Sequence, residues 1–260
     1  MSITFSPSYS VSDEEFMRLP SENPGMRFER GAPGELIVSL ATVTRGRYTF
    51  RPPCPVTDKE LMRVSHENPG IRFERNAQGE LIISPPTTIL DSVRKLELAY
   101  QLAHYDKGCR NGYVTSPSGG VRLPDGAVFA SDALWISEDR RPAVLDEDRD
   151  GFARIAPDIA FEMLSVNDDL RDMRTKANAY LANGTRLVVL LDTRSRSAEL
   201  HRPGGNVDAR IDVTEVDLDP ELPGFRLDVA SIFKDMRDRH LMAKSSDRTD
   251  SSRQNIIRKP

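Results

Sequence analysis

The run Pro157-Asp158-Ile159-Ala160-Phe161-Glu162-Met163-Leu164-Ser165 constrains this chain more than any other stretch. Pro157-Asp158 opens it, and from Ile159 to Leu164 it is apolar at both alternating sets of positions, the pattern of a strand buried on both faces inside a sheet covered by helices. Glu162 is the exception. A carboxylate in the middle of such a strand needs a cation or several donors close by, because burying it alone costs several kcal/mol. The flanking segments supply the cover. From Ile89 to about Tyr105 apolar residues recur at helical spacing, and a second helix carries Leu170, Met173, Ala177, Tyr180 and Leu181 on one face before Asn183-Gly184 ends it. Strand-like runs occur at Tyr113–Thr115, Gly120–Leu123, Ala130–Ile136, Leu187–Asp192 and Ala198–Arg202, and Leu222–Leu227 with Val229–Phe233 completes the core. The charged stretch from Ser137 to Arg154 is expected as a solvated connection. This order predicts an α/β (α+β) domain around a mixed sheet.

Ahead of that core lies a repeat. Val11-Ser12-Asp13-Glu14-Glu15-Phe16-Met17-Arg18 returns about 45 residues later as Val56-Thr57-Asp58-Lys59-Glu60-Leu61-Met62-Arg63, and the match runs on through Asn-Pro-Gly, Arg-Phe-Glu-Arg and Gly-Glu-Leu-Ile. About two thirds of the positions are identical, as after a recent segmental duplication. Two units are too few for a solenoid. Each reads as a short helix with Ser12 or Thr57 as N-cap and Glu15 or Glu60 three residues on, then a hairpin. Only the second copy continues into Pro85-Pro86 and a long helix, so it is the one expected to join the main core. Residues 1–50 are thus a partial duplicate, loosely packed or appended. Residues 51–234 form the principal domain, and 235–260 a polar tail with the composition of disorder.

Composition narrows the function classes. With 36 basic and 40 acidic residues the net charge is −4, which argues against a generic nucleic-acid coat but leaves room for a local basic rim around an acidic site. No run approaches the about 20 apolar residues that span a bilayer, and the opening Met1-Ser2-Ile3-Thr4-Phe5 has no basic segment leading into an apolar one, so a cytoplasmic protein without a membrane partner is expected. Cys54 and Cys109 are far apart and suit buried or half-buried thiols in a reducing compartment. There is no phosphate-binding glycine loop, nucleophile elbow or His-Glu-x-x-His segment, and the four histidines are scattered as surface or boundary residues.

Chemistry therefore rests on acids and a lysine. Asp132, in the strand-like run between Phe129-Ala130 and Ala133-Leu134-Trp135, has the same character as Glu162, and two acids on neighbouring strands suit a hard divalent cation such as magnesium. The alternative for each is a strand-end carboxylate paired to an arginine. Lys176 sits three residues after Met173 and four before Tyr180, at the margin of the buried helical face, from which it can reach the strand ends or instead snorkel to solvent. Together the three are the constellation for metal-assisted phosphodiester hydrolysis.

The ordered set Gly79–Pro85, the helix with Glu97, Leu123-Pro124-Asp125-Gly126, Ser131–Trp135, Pro157–Ser165, Lys176–Tyr180, Asn183-Gly184, Leu191-Asp192 and Leu222–Phe225 resembles the Uma-two family of restriction endonucleases, over roughly Pro55 to Phe233. The resemblance implies the PD-(D/E)xK nuclease fold, a mixed central sheet flanked by helices, and a Mg2+- or Mn2+-dependent site. It makes Asp132 and Glu162 the metal-binding acids, Lys176 the catalytic lysine displaced onto a helix, and Glu97 an auxiliary ligand. It also implies a nucleic-acid substrate, DNA, and a homodimer. Two departures stand out: Ser131 replaces the proline before the first acid, and Ser165-Val166 replaces Ser-Pro after the second. The alternative is a catalytically silent nuclease-fold module for nucleic-acid or protein interaction. Arg122, Arg171 and Arg174 are candidate phosphate contacts.

Overall fold

The computed structural model describes residues 2–5, 11–31, 35–40, 46–117, 119–145, 152–165, 168–205 and 207–234; the polar tail of 235–260 and Val166 lie outside them. The chain opens with β1 (Ser2–Phe5), α1 (Asp13–Glu22), β2 (Met26–Arg30) and β3 (Leu36–Leu40), followed by β4 (Tyr48–Phe50), α2 (Asp58–Glu67), β5 (Arg72–Arg75) and β6 (Leu81–Ser84). Both helices start in a capping box. The Ser12 and Thr57 hydroxyls accept from the amides of Glu15 and Glu60, whose carboxylates accept in return from the Ser12 and Thr57 amides. Arg30 bonds the Val11 carbonyl and Asp13 at the start of α1, and Arg75 does the same with Val56 and Asp58 at α2. In each unit a strand ahead of the helix, β1 or β4, pairs antiparallel with the hairpin's second strand, so the structural unit begins before the Val11 and Val56 where the repeat was first legible.

The two units differ in what they join. β5 pairs with a later strand at Arg75 and Val128, which builds the second unit into a five-stranded sheet, whereas β1, β2 and β3 form a sheet of their own. The first unit is held by packing, and closely. Ile3, Leu19, Leu36 and Val38 share one apolar cluster with Phe50, Leu61, Val64, Phe73, Leu81 and Ile83. The buried Asn23 side chain also bonds both backbone groups of Arg51.

The rest of the chain runs α3 (Ile89–Cys109), β7 (Gly112–Val114), β8 (Gly120–Arg122), β9 (Val128–Ala130), β10 (Ala133–Ser137), a 3-10 turn (Glu138–Arg140), α4 (Arg141–Leu145), β11 (Ile159–Leu164), α5 (Leu170–Ala182), β12 (Leu187–Asp192), β13 (Ser197–His201), β14 (Val207–Arg210), β15 (Glu215–Asp217), β16 (Arg226–Asp228) and α6 (Val229–Phe233). A six-stranded mixed sheet in the order β14-β13-β12-β11-β10-β7 stands beside the five-stranded β4-β6-β5-β9-β8. β11 and β12 pair in parallel, linked by α5 as a βαβ unit, while their outer neighbours are antiparallel. Side chains alternate along β11: Ile159, Phe161 and Met163 pack in one cluster with Leu98 and Leu102 of α3 and Ile232 and Phe233 of α6. Ala160 and Leu164 pack in the other, with Met173, Ala177 and Tyr180 of α5. Glu162 therefore faces α5.

Three sequence expectations change. The run Ala130–Ile136 is two strands in two sheets, β9 and β10, with Ser131-Asp132 as the corner between them, because the Asp132 amide is taken by the Phe161 carbonyl at 3.0 Å. The Ser137–Arg154 stretch carries a turn and α4, and Ala153, just past Phe152, is buried with its carbonyl on the Arg122 amide. Cys109 is exposed and Cys54 half-buried, while His201 is buried against Glu199 at 2.9 Å, which Arg174 also grips. Among the described residues no helix is long and apolar enough to cross a membrane.

Candidate active site

Where the two larger sheets meet, four elements converge. Glu162 comes from the middle of β11, Glu74 from β5, Asp132 from the β9–β10 corner and Lys176 from the α5 face bearing Met173, Ala177 and Tyr180. The three acids are 0–1% exposed and Lys176 4%. Lys176 Nζ lies 2.6 Å from Glu162 Oε1 and 2.7 Å from Glu74 Oε1, and donates a longer bond of 3.4 Å to the Ala130 carbonyl. Its three donors are spent, which is what makes a buried ammonium tolerable.

Each acid is further held. The Ala130 amide donates to Glu74 Oε1 at 2.7 Å. Ser131 Oγ donates to Glu162 Oε1 at 2.6 Å and lies 2.7 Å from the Tyr180 hydroxyl, so Tyr180 is the donor to Ser131. Asp132 Oδ2 accepts from the Met163 amide at 2.8 Å, and Oδ1 is shared by Lys95 of α3 at 2.8 Å and Arg72 of β5 at 3.2 Å. The sharp turn at Ser131-Asp132 aims these side chains inward.

The remaining oxygens, Glu74 Oε2 and Glu162 Oε2, are buried without a hydrogen-bond partner. Each lies 3.9 Å from a different nitrogen of the Arg47 guanidinium, whose Nε donates to Asp168 at 3.0 Å. Four carboxylates thus face four cations, and the cluster is neutral. Burial pushes the Glu74 carboxyl up, but Lys176, Arg72 and Arg47 outweigh it and hold the pKa down at about 2. Burial likewise raises Asp132, and Arg72 and Lys95 bring it down to about 2. Tyr180 is raised well above the phenol range by burial and by the charges of Glu162 and Glu74, and stays a neutral donor.

Arg72 and Lys95, on the outer side of the cluster, line both a cleft of about 350 Å³ walled by Ile71, Phe129 and Phe152 and a smaller one of about 50 Å³ with Gly46 and Asp168. Among the described residues no group of three acids, histidines or thiols stands arranged to hold a metal ion. A hard cation is fitted by the two unpartnered glutamate oxygens.

Asp132, Glu162 and Lys176 are brought to one place; Glu97 is not. It lies two residues past Lys95, about 200° round the helix, and accepts from Gln101, whose amide also donates to the Asp228 carbonyl beside α6. Arg171 and Arg174 lie on α5, and Arg174 is spent on Glu199; Arg122 is paired with Asp58. Glu74, Arg72, Lys95 and Arg47 escaped the sequence reading. Period-two alternation in Arg72-Phe73-Glu74-Arg75 puts Arg72 and Glu74 on the face opposite Phe73, but nothing local says that this face is buried.

A family model described as "Uma2: Putative restriction endonuclease" matches residues 58–230. A solved crystal structure described as a putative nuclease belonging to DUF820, from Anabaena variabilis ATCC 29413, is similar with a TM-score of 0.56 and 18% identity, over 69% of this chain and 98% of that one. At that identity the likeness is one of fold, and it agrees with mixed sheets flanked by helices. No curated protein matches. The matched residues are about two thirds of the chain and take in every charged member of the cluster except Arg47, and the protein belongs to the Uma2 family of restriction-endonuclease-like proteins.

Proposed function

We propose that the protein is a divalent-metal-dependent nuclease that hydrolyses phosphodiester bonds in DNA, with Glu74, Asp132 and Glu162 holding Mg2+ or Mn2+ and Lys176 as the catalytic cation. The observation that carries the reading is the buried lysine bridging two glutamates whose outer oxygens are left unpartnered. Buried carboxylate oxygens without donors are costly, and they are the hard ligands that such a cation takes. When bound, the metal lowers the pKa of a coordinated water and neutralises charge on the phosphate.

The chain's residues do the rest. Lys176 fixes the Oε1 atoms of both glutamates, which leaves the Oε2 atoms as the open pair, and its charge steadies the negative charge that grows on the phosphate in the transition state. Ser131 and Tyr180 hold Glu162 against rotation. Arg72 and Lys95, at the mouth of the cluster, draw a phosphate in. The homodimer belongs to this reading, and sedimentation velocity decides it.

The test is nicking of supercoiled plasmid, and cutting of single-stranded DNA and RNA, with Mg2+ or Mn2+, beside Asp132→Ala, Glu162→Ala, Glu74→Gln and Lys176→Ala. Metal-dependent cleavage of DNA lost in all four supports the reading. A folded wild type that neither binds metal nor cuts favours the catalytically silent module.

A further inference from the structure

We propose that Arg47 is a built-in counter-cation occupying the divalent-metal position of the acid cluster, and that a metal enters by displacing its guanidinium; this rests on the metal-dependent reading above. Of the four cations in the cluster, Lys176, Lys95 and Arg72 are seated on their carboxylates at 2.6–3.2 Å. Arg47 is different. Its two terminal nitrogens stop 3.9 Å from Glu74 Oε2 and Glu162 Oε2, beyond hydrogen-bond reach, so it balances their charge without satisfying them.

A cation that binds oxygen at about 2.0–2.1 Å offers those two atoms what the guanidinium does not. Because the guanidinium stays on Asp168, the divalent ion adds two positive charges to a cluster that is neutral beforehand, and so favours the arrival of a phosphate. The displaced group does not leave, because its Nε is held by Asp168 at 3.0 Å beside the small cleft that Gly46, Arg72, Lys95 and Asp168 line.

Sequence position supports a dedicated role. Arg47 lies outside the family-matched residues 58–230. The position 45 residues earlier, in the first unit, is Ser2, and the counterpart of Glu74 there is the exposed Glu29. The cation occurs in the unit whose glutamate is buried and is missing from the unit whose glutamate is solvated.

Calorimetric titration of Mn2+ alone into the full chain tests this without any activity readout. Arg47→Ala and Arg47→Met are expected to bind at least about tenfold more tightly than wild type, and Arg47→Lys to bind like wild type. A residue that only braced the fold would weaken metal binding when removed, so equal or weaker affinity in both variants overturns the proposal while leaving the metal site standing. Absence of binding in wild type and both folded variants overturns the metal-dependent reading and the proposal with it. A second measurement needs no variant that might fail to fold. In 15N-arginine-labelled wild type the Arg47 side-chain resonances are expected to shift on saturation with Mg2+, and unchanged resonances at saturation overturn displacement.

Discussion

Replacing Lys176 by methionine keeps an unbranched stem on the buried face of α5 and removes the ammonium, which also lies 5.4 Å from the Phe129 ring centre and 6.0 Å from that of Tyr180. What remains is Glu74 and Glu162, both fully buried, whose Oε1 atoms were each within 2.7 Å of the lost nitrogen. Removing one partner of a buried ion pair costs about 3–5 kcal/mol; the volume-conserving swap adds under about 1.5 kcal/mol. The loss depends on pH with a definite sign. In wild type the Glu74 pKa is depressed to about 2 from the ordinary 4.5, so its contribution is fully present above about pH 4.5 and is lost as pH falls toward 2. Without Lys176 the carboxyl is released upward, and the gap between variant and wild type narrows over that same window. Trp135, the only tryptophan and 3% exposed, reports urea unfolding. With a slope of about 3 kcal/mol per molar, the midpoint at about pH 7 is expected to fall by about 1–2 M. A loss below about 1 kcal/mol, or one equally large at about pH 3, would refute the argument that Lys176 compensates the two acids.

Wild type itself is expected to lose about 2–3 kcal/mol each from Glu74 and Asp132 between about pH 4.5 and 2, since both are held near 2 by their cations; acid unfolding monitored at Trp135 measures it. Leu19→Ala, in the first unit, should cost about 2–5 kcal/mol and shift the same transition as Leu61→Ala, because both side chains are fully buried in one cluster; separate transitions would mean separate cores. Fluorescence anisotropy with labelled duplex should show at least about tenfold tighter binding in Ca2+ than in EDTA, as a neutral cluster gains two charges, and equal affinities would show that the cluster takes no part in binding.

Much of the site was legible where the signal is local. An acid in a strand apolar on both faces marks Glu162, a lysine on the margin of the Met173–Tyr180 stripe marks Lys176, and Ser-x-x-Glu or Thr-x-x-Glu starts the helices as observed. Each depends on residues within one or two turns of itself. The Asp132 corner was half legible: its burial could be inferred, its position between two sheets could not, because that depends on the Phe161 carbonyl of a strand almost thirty residues away.

Glu74 and Glu29 draw the boundary most sharply. Both stand in Arg-Phe-Glu-Arg on the first strand of a hairpin after a capped helix and Asn-Pro-Gly, yet Glu29 is exposed and Glu74 is fully buried on Lys176. Local sequence determined the two capped helices and strands alike, since hydrogen bonding and alternation act between neighbours. Only the tertiary structure decided which glutamate joined the site, by pairing β5 with β9 and setting α5 across its face, because burial and charge compensation are properties of what lies opposite a side chain and not of what lies beside it in the chain.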